Sequence, residues 1–303
     1  MFSHFLLVIP LLVDSCAAFP FLNSLSPRQM TGTKYLFSFG DSYTRTLFSI
    51  SGTKPSADNP IGNPPFPGTT TDAGLNWIDY LVTAYNTSLT LSYNFAVGGS
   101  TVDNNVIPSI TSGAKSLVEQ TATFAANLGP KPSYAPWTSS NTLFAIWFGI
   151  NDIDLSYTYS DEGKLFTDIF DTYWKQLDIM YYYGGRNFAL LTVPPTNKSP
   201  KILARNSTVQ ATYTASIASW NALVKNIAAE FQSERSGTTV KVIDTSIPFN
   251  TAINDPTSYG APNAVCYNTN GISCLWWNNF HPGQAVQKLV AVAFSGEYSG
   301  TFF

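Results

Sequence analysis

Histidine and charge are what this sequence has least of. The chain of 303 residues holds two histidines, His4 and His281, so chemistry that needs an imidazole near neutral pH has at most two places to find one. Lysine, arginine, aspartate and glutamate together make 12% of the chain, with a formal net charge of −3. No basic run or stripe is present to track a phosphate backbone, which argues against nucleic acid as a partner. Cysteine is scarce and the carboxylates do not cluster, so no ligand set for a metal is visible and no cofactor is expected. Beyond Ala18 no apolar run is long enough to cross a bilayer.

What is present begins with the apolar run Phe5 to Val13, followed by the small residues Ser15-Cys16-Ala17-Ala18. The run is too short for a membrane span and ends at a small-residue cleavage site, so 1–18 reads as a secretory signal peptide and 19–303 as one domain. That domain, roughly 285 residues, has length enough for a sizeable core, and 44% of the chain is hydrophobic. His4 and Cys16 leave with the leader. Cys266 and Cys274 remain around a short polar loop, and in an oxidising compartment they are expected to pair. Sequons at Asn86, Asn197 and Asn206 fit the same extracellular destination, the second weakened by Pro200 after its serine. Aromatic residues at 15% would suit a protein that handles sugars or apolar groups.

Apolar runs with β character occur at Tyr35 to Phe39, Tyr93 to Val97, Thr142 to Phe148, Asn187 to Val193 and Val240 to Asp244. Between and after them, helical patterns run over Leu75 to Tyr85, Ser116 to Leu128, Leu165 to Tyr183, Val209 to Phe231 and Ala285 to Phe294. Strands alternating with helices imply an α/β fold, a single-domain α/β/α sandwich with a mostly parallel sheet. Ile50 to Thr71 is too rich in proline and glycine for regular structure and reads as a long surface loop near Ser42.

Several of the strand candidates end in glycine with a polar residue close behind, which places polar groups along one rim, where open α/β sheets bind ligands. The first stops at Gly40-Asp41-Ser42 and exposes the Ser42 hydroxyl. A serine hydroxyl is a poor nucleophile until a base takes its proton. The one histidine left outside the leader is His281, followed by Pro282 and placed just before the last helix, and it is the candidate base.

Gly40-Asp41-Ser42, Asn94-Phe95-Ala96-Val97-Gly98-Gly99, Gly149-Ile150-Asn151-Asp152 and His281-Pro282 occur in the order of the four blocks of the GDSL, or SGNH, hydrolase superfamily, which the chain resembles from Tyr35 to His281. The resemblance implies Ser42 as nucleophile, His281 as base, and an oxyanion hole from the Ser42 and Gly99 backbone N–H groups and the Asn151 side chain. Asn76-Trp77-Ile78-Asp79-Tyr80-Leu81, Val193-Pro194-Pro195 and Trp276-Trp277 further resemble the secreted fungal acetylesterases of carbohydrate esterase family 16, which remove acetyl groups from sugars and short hemicellulose oligomers.

One position departs from the pattern. The family has aspartate three residues before the histidine, and here that residue is Asn278. Three arrangements are compatible with the sequence: a Ser42–His281 dyad whose ring is held by the Asn278 oxygen or a backbone carbonyl, recruitment of another acid such as Asp152, Asp154 or Asp255, or feeble activity. The dyad is favoured because the other blocks are intact. Asp41 is expected to brace the active-site loops. The resulting expectation is a secreted monomeric esterase acting on a small-molecule or oligosaccharide acetyl ester, with a lipase or lysophospholipase of the same fold, or a non-catalytic carbohydrate-binding relative, as the competing readings.

Overall fold

A computed structural model describes Met1 and residues 32–303. The expected signal peptide, with His4 and Cys16, lies outside the described residues. Five strands, β1 (Lys34–Gly40), β2 (Thr90–Asn94), β3 (Thr142–Trp147), β4 (Asn187–Leu191) and β5 (Thr239–Ile243), form one sheet. The order is β2-β1-β3-β4-β5 and every pairing is parallel. In this doubly wound order the strand sequence reverses between β1 and β3, and the crevice outside their carboxyl ends is the place such sheets use for ligands.

Parallel strands covered on both faces need apolar side chains on both, and all six residues of β3 are buried. The helices are α1 (Trp77–Tyr80), α2 (Leu117–Asn127), α3 (Ile150–Ser156), α4 (Glu162–Tyr182), α5 (Pro200–Leu203), α6 (Ser207–Glu234), α7 (Ser246–Asn254) and α8 (Gln284–Glu297). Phe37, Phe144 and Phe188 present one sheet face to Phe124 of α2 and Phe231 of α6. On the other face Trp147 meets Trp77 of α1, which in turn packs on Phe294 of α8.

Most of the tryptophans serve this core. Trp77, Trp137, Trp147, Trp220 and Trp276 are all fully buried. Large rings remove the most apolar area from water, which suits a chain with little charge to spare for its surface.

Several elements differ from their expected bounds. The second strand lies earlier, at Thr90–Asn94. Phe95 and Val97 still donate to the Ser38 and Gly40 carbonyls, but the Asn94 side chain takes the Ala96 N–H at 3.1 Å and ends the regular ladder. The first helix starts at Trp77, capped by Asn76, whose side chain and Asp79 form a capping box, and passes into a π-helical turn over Leu81–Tyr85. Helices α3, α5 and α7 are additions. α3 is hidden inside the Gly149-Ile150-Asn151-Asp152 motif, and α7 carries Pro248 in its first turn, where proline costs the helix no hydrogen bond. The loop from Ile50 to Thr71 has no regular element. Its end returns to the turn after β1, where Thr69 N–H donates to Thr46 O at 2.9 Å.

Candidate active site

The turn after β1 is built tightly. A Cβ on Gly40 would press on Thr44 and on the Trp147 carbonyl, so glycine lets the chain turn there. Gln120 of α2 clamps the same residue, accepting the Gly40 N–H at 3.0 Å and donating to the Gly40 carbonyl at 2.8 Å. The Asp41 carbonyl then accepts the N–H groups of Thr44 and Arg45 at 3.1 and 3.0 Å. Asp41 is fully buried; its carboxylate accepts the Tyr43 N–H at 2.9 Å and the Asn151 amide at 3.1 Å. It braces two strand-end loops, as expected of it. Burial, with Asp152 nearby, pushes its pKa up to about 7 against the opposing Tyr43 N–H bond.

Ser42 is left at the edge of this turn, and His281 reaches it across the fold. The His281 Nε2 atom lies 2.8 Å from Ser42 Oγ. The two loops are also tied through Tyr43, whose hydroxyl donates to the Phe280 carbonyl and whose ring lies 5.4 Å from the imidazole.

Asn278 is the residue that holds the ring. Its Oδ1 accepts the N–H groups of Phe280 and His281 at 2.9 and 2.7 Å, and it lies 3.1 Å from His281 Nδ1. Two backbone donors can be met only by an oxygen, so the amide cannot flip its nitrogen toward the ring. The imidazole therefore carries its proton on Nδ1 and turns the Nε2 lone pair to Ser42. An amide in this role is damaging in a Ser-His-Asp triad chiefly when it imposes the wrong tautomer. Here the local backbone prevents that, and what is missing is the negative charge. Burial, followed by the charges of Arg45 and Lys201, lowers the His281 pKa to about 4.

The other acids considered do not hydrogen-bond to His281. Asp152 is fully buried and accepts the Val102 N–H at 2.9 Å, and burial raises its pKa to about 7. Asp154 pairs with Lys201 at 2.6 Å. Asp255 takes the Thr257 hydroxyl at 3.3 Å in an exposed turn.

Around Ser42 the backbone N–H groups of Ser42 and Gly99 have no hydrogen-bond partner among the described residues. Gly99 has φ +79°, and a Cβ there would collide with Thr111, so both the backbone and the space require glycine. Asn151 sits in the first turn of α3. Its amide nitrogen donates to Asp41 at 3.1 Å and to the Ser100 carbonyl at 2.9 Å, so both its hydrogens already have acceptors. The arrangement can deprotonate a hydroxyl and offer two open backbone donors to a developing oxyanion.

Cys266 and Cys274 form a disulfide with Cα atoms 5.2 Å apart, in the segment that leads to Trp276, Asn278 and His281. Of the sequon residues, Asn206 is exposed at the N-cap of α6, whereas Asn86 and Asn197 are half-buried and donate to Ser88 O and Thr214 Oγ1 at 3.0 Å each. Tyr43, Arg45, Gln120 and Lys201 had no motif to mark them. Arg45 alone carried a signal, a cation three residues past Ser42 in a chain with few charges.

Residues 36–294 match the family model described as GDSL-like Lipase/Acylhydrolase. An acetylesterase of Thermothelomyces thermophilus is 46% identical over 273 residues, covering 89% of this chain and 90% of that protein. An acetylesterase of Hypocrea jecorina is 27% identical, covering 97% of this chain and 96% of the relative. Axe2, an acetylxylan esterase from Geobacillus stearothermophilus, shares the fold with a TM-score of 0.52 at 16% identity, over 88% of this chain and 94% of that one.

Proposed function

The chain belongs to the GDSL-like lipase/acylhydrolase family and is a carboxylic ester hydrolase, and we propose that it is a serine esterase that removes acetyl groups from carbohydrates. The observation that carries the proposal is the 2.8 Å contact of His281 Nε2 with Ser42 Oγ, with Asn278 holding the ring in the tautomer that accepts a proton. The acetyl specificity is supported by the acetylesterase relatives.

In this reading Ser42 Oγ attacks the ester carbonyl while its proton passes to His281 Nε2. The oxyanion is met by the N–H groups of Ser42 and Gly99. For Asn151 to join them, its amide exchanges one of its two present acceptors for the oxyanion. Collapse of the tetrahedral species expels the sugar hydroxyl, which takes the proton from His281 and leaves acetyl-Ser42. Water, deprotonated by His281 Nε2, then attacks the acyl carbonyl. The second tetrahedral species collapses by breaking the Ser42 Oγ–acyl bond, Ser42 Oγ takes the proton back from His281, and the product leaves as acetic acid, which ionises to acetate. The imidazolium formed in each half-reaction has the Asn278 oxygen as a hydrogen-bond acceptor but no carboxylate to balance its charge.

Secretion belongs to the same proposal. It is supported by the apolar leader at 1–18, by the Cys266–Cys274 disulfide and by Asn206, which is exposed and uses only its oxygen, on the Val209 N–H at 2.9 Å. That leaves the amide nitrogen, the atom a glycan would occupy, clear of the cap.

The test is hydrolysis of 4-nitrophenyl esters from acetate to palmitate, beside fluorophosphonate labelling. Activity greatest at acetate with labelling at Ser42 is expected. A maximum at long chains would replace the reading with a lipolytic one, and folded protein that takes no label would replace it with a binding role.

A further inference from the structure

Arg45 is held where a half-buried cation has no counterpart. Its main chain is fixed, with the N–H on the Asp41 carbonyl at 3.0 Å and the carbonyl accepting from Asn76 Nδ2 at 3.0 Å. Its side chain runs past Gly98, where an added Cβ would lie 3.5 Å from Arg45 Nη1 and 3.8 Å from Ser42 Cβ. The guanidinium and the Ser42 side chain therefore face the same patch of Gly98 backbone. Nε donates to Thr71 Oγ1 at 2.9 Å. Among the described residues, neither Nη atom makes a hydrogen bond and no carboxylate pairs with the group.

The other part-buried arginines are satisfied. Arg235 takes both carboxylate oxygens of Asp178 at 2.6 and 2.9 Å, and Arg186 donates to the carbonyls of Tyr181 and Gly185. Arg45 and Lys201 are the cations whose charge reaches His281, and Lys201 is balanced by Asp154. A guanidinium stays charged at any working pH, and taking a charge part-way out of water without a partner is costly. An unmatched planar fork at the edge of a reaction site is built to receive an anion, and a carboxylate matches its geometry with two parallel hydrogen bonds.

We propose that Arg45, against the Gly98 backbone, forms a carboxylate-binding position beside Ser42. Two sources can supply the group: the acetate released by hydrolysis, or a uronic acid residue next to the acetylated sugar. The naming of these sources rests on the acetylesterase reading. The position itself rests on the unmatched guanidinium.

Two arms test it. In the first, sodium acetate is titrated calorimetrically into the Ser42→Ala protein with Arg45, with Arg45→Gln and with Arg45→Lys. In the second, kcat/KM is compared for acetylated oligosaccharides with and without a uronic acid residue, in the Ser42 enzyme carrying the same Arg45 variants, each checked for an unchanged melting transition. Arg45→Gln is expected to weaken acetate binding, or to erase the preference for the acidic substrate, by about tenfold or more, with Arg45→Lys intermediate. A response in the first arm assigns product acetate, and one confined to the second assigns the uronate. If neither acetate affinity nor substrate preference depends on Arg45, the proposal is overturned. It is equally overturned if Arg45→Gln slows neutral and acidic substrates alike while acetate affinity stays constant, since Arg45 then acts on the transition state. Arg45-dependent acetate binding in a protein that hydrolyses no acetyl ester would leave the site standing and remove the acetylesterase reading.

Discussion

The side-chain oxygen of Asn278 stands 3.1 Å from His281 Nδ1 while accepting the backbone N–H of His281 itself at 2.7 Å. The same backbone group that forms the turn before the imidazole thus decides which end of the amide faces it. Asn278 supplies the geometry of a triad carboxylate without its charge, and the first prediction follows from separating the two.

Asn278→Ala removes the acceptor and leaves two backbone donors and the ring's Nδ1 without that partner. A fall in kcat of about tenfold or more is expected, with KM changing less, since the loss falls on orientation of the base. Asn278→Asp keeps the acceptor and adds charge next to the ring. It is expected to raise kcat and to move the acidic limb of the pH profile upward by about one unit or more. If Asn278→Ala is no worse than a substitution on the surface, Asn278 does not orient the base.

The pH profile of the unaltered protein is the second prediction. With the His281 pKa lowered to about 4, chiefly by burial, the neutral base is present at all pH values above that point. The acidic limb of kcat/KM is expected near about 4, where an ordinary histidine would place it near 6.5. Stability moves in the same direction. Between the unfolded value near 6.5 and about 4 the unfolded chain binds a proton that the native ring refuses, so this group's contribution is lost as pH falls through that window. An acidic limb near 6.5 would show that His281 does not sit in this environment during turnover.

Asn151 provides a third check. Asn151→Ala removes the proposed side-chain donor and strips Asp41 of a partner it holds at 3.1 Å. Turnover is expected to drop by roughly 10²–10³, with a smaller change in KM. An effect on melting temperature with turnover intact would make Asn151 a brace for Asp41 and nothing more.

The order of these residues along the chain made the site readable before its geometry was known. Ser42, Gly99 and Asn151 follow the carboxyl ends of β1, β2 and β3, and a parallel sheet brings those ends to one rim. His281 needed no topology, because no other histidine lies in the domain. The amide orientation of Asn278 was not readable. It depends on two backbone donors whose direction is set by the turn, and residue type says nothing about that. Nor was the tie between Tyr43 and the Phe280 carbonyl, which are 237 positions apart. The short helices α3 and α7 escaped for a simpler reason. They are too brief to show a helical period, and each begins in a stretch whose glycine or proline reads first as a turn.

Asp152 gives the fourth prediction, on stability. Burial raises its pKa to about 7, and one of its carboxylate oxygens has no hydrogen-bond partner among the described residues. A folded pKa above the unfolded value means that stability present below the unfolded value, near 3.8, is lost as pH rises through about 7. Asp152→Asn keeps an oxygen for the Val102 N–H and carries no charge. Its melting temperature is expected to decline less than that of the unaltered protein between pH 5 and pH 8. Equal slopes would place the burden of that window on Asp41 or elsewhere.

The central claim is that Ser42 and His281 cleave acetyl esters of sugars. It is tested most directly by measuring acetate release from acetylated xylo-oligosaccharides by the unaltered protein and by Ser42→Ala. Release in the unaltered protein, falling by about 10³-fold or more in Ser42→Ala, is the expected result. No acetate from the unaltered protein, or equal release from both, would contradict it.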